Sequence, residues 1–187
     1  MSLIDSDYFV NEIALPEGKY AVIQAFINRY EDQAIFDLFG YELGTLVIAY
    51  NITTSPQRIK DIVEGKEYTI SSDAFYKPSG GDTIIKWKGL VNTEKKSLLA
   101  YWIYYWWCRE HESFATNVGG AKSKLENANN VGFGEKAAYA WHEMLKLYGQ
   151  INQPEIIPSC FNFMNEFQTT YPEWVFAPKG NINRLGI

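Results

Sequence analysis

The sequence predicts a mainly α fold: a single-domain helical bundle around one buried aromatic helix, with a small irregular or β excursion over about 65–90 and extended N- and C-terminal arms. Three observations predict it. An unbroken apolar and aromatic run extends from Leu98 to Cys108. Helical periodicity recurs on both sides of that run. Finally, apolar residues make up 47% of 187 residues, enough for one sizeable core and too many for a disordered chain.

Residues 1–15 show no clear period and are expected to form an arm. From Pro16, Ile23, Phe26, Ile27, Tyr30, Ala34 and Leu38 recur near i, i+3, i+4 and i+7, which predicts an amphipathic helix. Gly40 is a natural stop for it. Arg29, Glu31, Asp32 and Asp37 lie mostly off the apolar stripe and read as a solvated face. A shorter helix is expected to hold Leu43, Leu46, Val47 and Tyr50. Ser55-Pro56-Gln57-Arg58 places a Ser cap and an N1 proline at the start of a helix through Ile59, Ile62 and Val63 that stops at Gly65. Glu67–Ile70 and Thr83–Trp87 are rich in β-branched and aromatic residues, with Pro78–Asp82 between them, and form the β excursion.

The aromatic helix is expected from about Thr93 to about Glu110, with Asn92 or Thr93 as cap and Glu94 favoured by the helix dipole. Apolar on all sides, it calls for helices all round it. A membrane span needs ~20 apolar residues; this run is shorter, and Lys95, Lys96, Arg109 and Glu110 close both ends. Residues 113–134 are polar and Gly-rich, with a short helix expected near Ser123–Asn130. Ala138, Trp141, Leu145 and Tyr148 mark a helix from about Glu135 to Tyr148, ended by Gly149. Phe161, Met164 and Phe167 or Gln168 mark a last one. The helical core thus spans about 16–168, and the tail 171–187 has no period.

Charge and motifs exclude several functions. A net charge of −5 argues against gripping nucleic acid by phosphate neutralisation. The start MSLIDSDYFV lacks a basic end and an apolar middle, so synthesis in the cytoplasm is expected. Cys108, His111, His142 and Cys160 could supply a Cys2His2 zinc set, but only Cys108 and His111 are close in sequence, and the gaps fit no standard finger. Gly119–Ser123 and Gly132–Lys136 complete neither phosphate-binding glycine pattern. No G-x-S-x-G elbow occurs, and carboxylates recur in no glycosidase or nuclease spacing. No catalytic, cofactor-binding or metal residue is therefore assigned. Aromatic residues at 16% exceed what a small core readily hides, which points to aromatic surface reserved for a partner.

Three stretches carry a resemblance: Phe26–Glu31 through Leu38-Phe39-Gly40; Trp87-Lys88-Gly89-Leu90 followed by Lys96–Tyr105; and Asn127-Ala128 followed by Ala140-Trp141-His142-Glu143-Met144. Together they resemble the head–tail connector proteins of tailed bacteriophages, the neck adaptors of the helical type found in crAss-like and related phages. The second stretch is similar to that family's W-x-G-L and S-L-I-A-Y-Y-x-Y-Y pairing. The chain departs from the pattern at His142, where an amide is expected, at the heavy Trp106-Trp107 pair, and in its tail.

The resemblance implies a structural virion protein without catalysis or cofactor. It implies a homo-oligomeric ring, commonly twelvefold, docked beneath the portal protein, joined to the next neck or tail protein, and enclosing a channel through which DNA passes without sequence-specific binding. The protein would be made in the bacterial host cytoplasm and reside in the virion neck. Trp87, Tyr171, Trp174 and Phe176 are the expected interface residues; the alternative is that they fold back on their own domain. Other readings are a stopper or terminator ring, a helical protein-binding module, or a small phage enzyme.

Overall fold

A computed structural model describes residues 2–15, 18–70, 83–111, 113–116, 119–122, 133–149 and 158–180. Helices dominate. Helix α1 (Tyr20–Ile48) is interrupted at Gly40, whose φ of 76° and ψ of 173° are open to glycine but strained for any other residue. The predicted stop and the predicted second helix are thus two arms of one bent element. Buried Ile23, Ile27, Ala34, Ile35 and Leu38 before the bend, and Leu43 and Val47 after it, face the core.

Helix α2 (Gln57–Glu64) starts one residue later than expected. The Ser55 hydroxyl accepts from the Asn51 amide instead of capping α2, and the Pro56 carbonyl takes the first helical amides, from Ile59 and Lys60. Gly65 ends it as predicted. Strands β1 (Lys66–Ile70) and β2 (Thr83–Trp87) pair antiparallel, with Lys66 opposite Trp87 and Ile70 opposite Thr83. Tyr68, Ile70 and Trp87 turn inward while Ile84 and Lys86 turn out, the alternation a half-buried sheet requires.

The aromatic helix α3 runs Leu98–His111, later at its start than the expected Thr93. Two contacts explain the shift. The Asn92 backbone is held by Tyr8, whose hydroxyl donates to the Asn92 carbonyl (3.3 Å) and accepts from its amide (3.0 Å). Asn92 Oδ1 then accepts from the Lys96 amide, closing a turn in which Lys95 takes a positive φ of 57°. The cap is Ser97, whose buried hydroxyl accepts from the Leu99 amide and donates to the Leu90 carbonyl at 2.6 Å.

Helix α4 (Phe133–Tyr148) is the main partner of α3, and α1 the next. It starts two residues before the expected Glu135, and Ala137, not Ala138, joins Trp141, Leu145 and Tyr148 on the buried face. Between α3 and α4, the Gly-rich segment contains a second hairpin, β3 (Ser113–Thr116) with β4 (Gly119–Lys122), where only flexible joints were expected. The helix expected near Ser123–Asn130 lies outside the described residues. Helix α5 (Cys160–Glu166) is capped by the Ser159 hydroxyl, which accepts from the Asn162 amide at 3.2 Å. It buries Cys160, Phe163 and Met164, while Phe161 stays half-buried.

The N-terminal arm needs the largest correction. Its backbone is extended, with two single 3-10 turns at Ser6–Tyr8 and Asn11–Ile13, but it is core rather than a loose end. Ile4, Tyr8, Phe9, Ile13 and Leu15 are all buried. Glu31, assigned to the solvated face, is 5% exposed, and its carboxylate accepts the Leu3 and Ile4 amides at 2.9 and 3.0 Å. A chain with no side-chain period can still dock when its backbone donors find an acceptor.

Candidate functional site

Seven of the α3 side chains from Tyr101 to Cys108 are buried, and only Trp106 reaches solvent, at 37% exposure. The rod is held by ring contacts: Tyr105 against Trp141 of α4 (4.5 Å between centroids), Tyr104 against Trp107 (5.6 Å), and Phe9 of the arm against Tyr104 (6.4 Å). Trp106 lies over Trp102 and Tyr105. Among the described residues no helix is long and apolar enough to cross a membrane.

The four expected interface residues all sit against their own domain. Trp87 is 2% exposed; its indole nitrogen donates to the Ile62 carbonyl at 3.0 Å and its ring stacks on Phe163. Tyr171 is 1% exposed and its hydroxyl donates to the Arg58 carbonyl at 2.8 Å. Trp174 is half-buried, donating to the Leu38 carbonyl at 3.3 Å. Phe176 stacks on Tyr148 with centroids 5.0 Å apart. The aromatic surplus is therefore largely spent within the chain, in one cluster around α3 and another made by β1, β2, α5 and the tail.

The bend in α1 explains why the tail lies where it does. A helix break deprives the carbonyls before it of their usual i+4 donors. Tail and neighbouring side chains supply donors there instead: Trp174 Nε1 and the Tyr148 hydroxyl at the Leu38 carbonyl, and Lys179 Nζ at the Asp37 carbonyl. The Trp141 indole fixes the chain beyond them by donating to the Gly180 carbonyl at 2.7 Å.

A second clamp joins β2 to α2. Gly65 and Gly89 both have positive φ, 92° and 81°, and meet backbone to backbone. A Cβ on Gly89 would lie 2.5 Å from the Val63 carbonyl oxygen, and one on Gly65 2.4 Å from that of Trp87. Only glycine allows this approach. The Leu90 and Val91 amides then reach the Ile62 and Val63 carbonyls at 3.3 and 2.8 Å.

Two cavities lie beside these contacts. One, of about 360 Å³, lies between the arm and α1, with Ser2, Asn28, Glu31 and Asp32 in its wall. Burial pushes the Glu31 carboxyl above its ordinary range, the Leu3 and Ile4 amides pulling the other way. The other, of about 170 Å³, lies beside the glycine clamp, between Trp87, Leu98, Leu147 and Pro158, with Lys88 and Lys96 in its wall. Sequence reasoning missed this pocket, because its walls come from four separate segments; the lysines scattered from Lys86 to Lys96 were the available signal.

Among the described residues no three His, Cys, Asp or Glu side chains converge on a position that could hold a metal ion. Cys108 and Cys160 are buried, burial pushing the Cys160 thiol well up, whereas His142 is exposed. Gly119–Lys122 belongs to paired strand β4 rather than to a phosphate-cradling loop. Set beside known proteins, the chain matches no family model, no curated protein and no solved structure.

Proposed function

We propose that the chain is a subunit of a head–tail connector ring in the neck of a tailed bacteriophage. It extends the channel below the portal, joins the next neck or tail protein, and catalyses nothing. One observation carries the reading. The described parts of the three stretches that resemble the connector family, separated in sequence, lie in one buried cluster: Phe26–Leu38 on α1, the Trp87–Leu90 clamp tied to Ser97, the α3 rod, and Trp141 of α4 against Tyr105. Shared packing residues that converge in space support a shared scaffold better than residues that stay apart.

The acidic balance supports the channel role, since a net charge of −5 repels the phosphates of DNA that must slide past. The surface also keeps apolar material for permanent contacts. Tyr41, Ile52, Ile84 and Val175 are each more than two-thirds exposed, and Trp106 and Tyr139 more than one-third. These residues replace the buried Trp87 and Tyr171 as ring-contact candidates. A closed ring needs heterologous interfaces, one face of each copy meeting a different face of the next.

Light scattering and negative-stain imaging of the purified chain, alone and with its cognate portal, test the proposal. The expected outcome is a closed ring, at least when portal is present. A species that stays monomeric or dimeric in both samples overturns it.

A further inference from the structure

The 170 Å³ pocket beside the glycine clamp combines apolar walls with a lysine rim. Its walls are the apolar faces of Trp87, Leu98, Leu147 and Pro158, and it opens to solvent. Its rim belongs to the most cationic stretch of an acidic chain. Residues 86–96 carry Lys86, Lys88, Lys95 and Lys96 against the single acid Glu94, while the whole chain has a net charge of −5.

We propose that this pocket and its rim form a docking site for an acidic–apolar segment of a partner protein, one bulky apolar side chain entering the pocket while flanking carboxylates meet Lys88 and Lys96. Charge complementarity names the occupant. Both rim ammonium groups already take carboxylates: Lys88 pairs with Glu94, and Lys96 Nζ lies 3.3 Å from Glu143. The Lys88 bond, with Lys86 and Lys96 adding to it, holds exposed Glu94 below its ordinary range, so the lysines act on one region of space. Lys96 can turn toward an incoming carboxylate without stranding Glu143, which keeps Lys146 at 2.6 Å.

Size agrees with a single side chain. A dry cavity of ~150 Å³ accommodates one benzene ring, so 170 Å³ fits an aromatic ring or a branched aliphatic group. Nucleic acid is the weaker match. Phosphates would use the lysines but leave the apolar walls uncovered, whereas a peptide side chain desolvates them. The site does not depend on the ring reading and holds for any protein partner with this chemistry.

The test uses the full chain and a labelled peptide with one leucine between pairs of glutamates, followed by fluorescence anisotropy. Saturable binding is expected, with a shift of the Trp87 indole N–H resonance. Replacing the peptide leucine by serine should weaken binding about tenfold or more, the loss expected for one buried leucine side chain. Lys88→Gln with Lys96→Gln should weaken it similarly. Leu147→Trp, which fills the pocket and leaves the rim charges alone, should do the same, each variant checked for its fold by circular dichroism. Equal binding of the serine peptide, tighter binding of a duplex of about 20 base pairs, or no binding to the folded chain would each overturn the proposal.

Discussion

Glu31 does with one carboxylate what the N-terminal arm cannot do by its own pattern. It takes the Leu3 and Ile4 amides, and the buried side chains of Ile4, Tyr8 and Phe9 follow. Glu31→Ala leaves two amides without their acceptor and should lower stability by about 1–3 kcal/mol. Glu31→Gln, which keeps an acceptor oxygen, should cost less, both read from urea unfolding midpoints. Because burial raises its folded pKa, the stability this group contributes is full below the ordinary carboxylate range and is lost as pH rises through the raised value. Glu143 has the opposite sign. Burial pushes its carboxyl up, but Lys146 and Lys96 together outweigh burial and hold it below its ordinary range. Its contribution is therefore present above that range and lost as pH falls through the depressed folded value. The stability gap between the native chain and Glu143→Gln should be largest near neutral pH and close on acidification, measured by unfolding at about pH 7 and about pH 3. A gap that widens toward acid would contradict this sign.

At the scale of elements, the α1 bend and the tail form one device. Gly40 opens the helix, and Trp174, Tyr148 and Lys179 bring donors to the carbonyls before it. Gly40→Ala should cost about 1–3 kcal/mol of backbone strain, although a Cβ there would touch nothing. Thermal unfolding reads that loss. Removal of 171–187 should be worse, because Tyr171, Trp174 and Phe176 cover α5 and Tyr148; the expected result is loss of cooperative unfolding or of soluble protein. A truncated chain with native stability would show the tail to be a mere appendage. The glycine clamp obeys the same logic in a smaller space. Gly89→Ala would drive a Cβ to 2.5 Å from a backbone oxygen, and overpacking plus strain should cost about 2–5 kcal/mol. Bends and stops were legible in sequence because glycine acts locally: Gly40, Gly65 and Gly149 each lie where periodicity ends. The donors that answer the bend were not legible, since residues 38 and 174 are neighbours only after folding.

For the molecule as a whole, the reading of α3 followed from composition alone. A helix apolar on every side has one soluble solution, burial among other helices, and the structure departs from it only at Trp106. The aromatic surplus points to partner surface, yet much of it lies inside the chain. The tail and the β1–β2 hairpin bring rings inward beside those of the helices, Tyr68, Trp87 and Phe176 among them. The exposed apolar surface is thus more dispersed than the four expected anchors implied. If the ring proposal holds, Tyr41→Ser should weaken assembly while leaving the unfolding midpoint nearly unchanged, because its side chain is 77% exposed. Light scattering beside the unfolding curve separates the two effects.

By itself the sequence determined that the segments of α1 to α5 are helical, where α1 breaks, where α2 and α4 end, and that Leu98–Cys108 must be enclosed. Those features follow from short-range rules: periodicity, caps and glycine's backbone freedom. Only the tertiary structure decided that the N-terminal arm and Tyr171 of the tail are core, that Glu31 is buried, and that a lysine-rimmed pocket opens beside Trp87. Each of these depends on which distant backbone donors and acceptors meet, and no local pattern records that pairing.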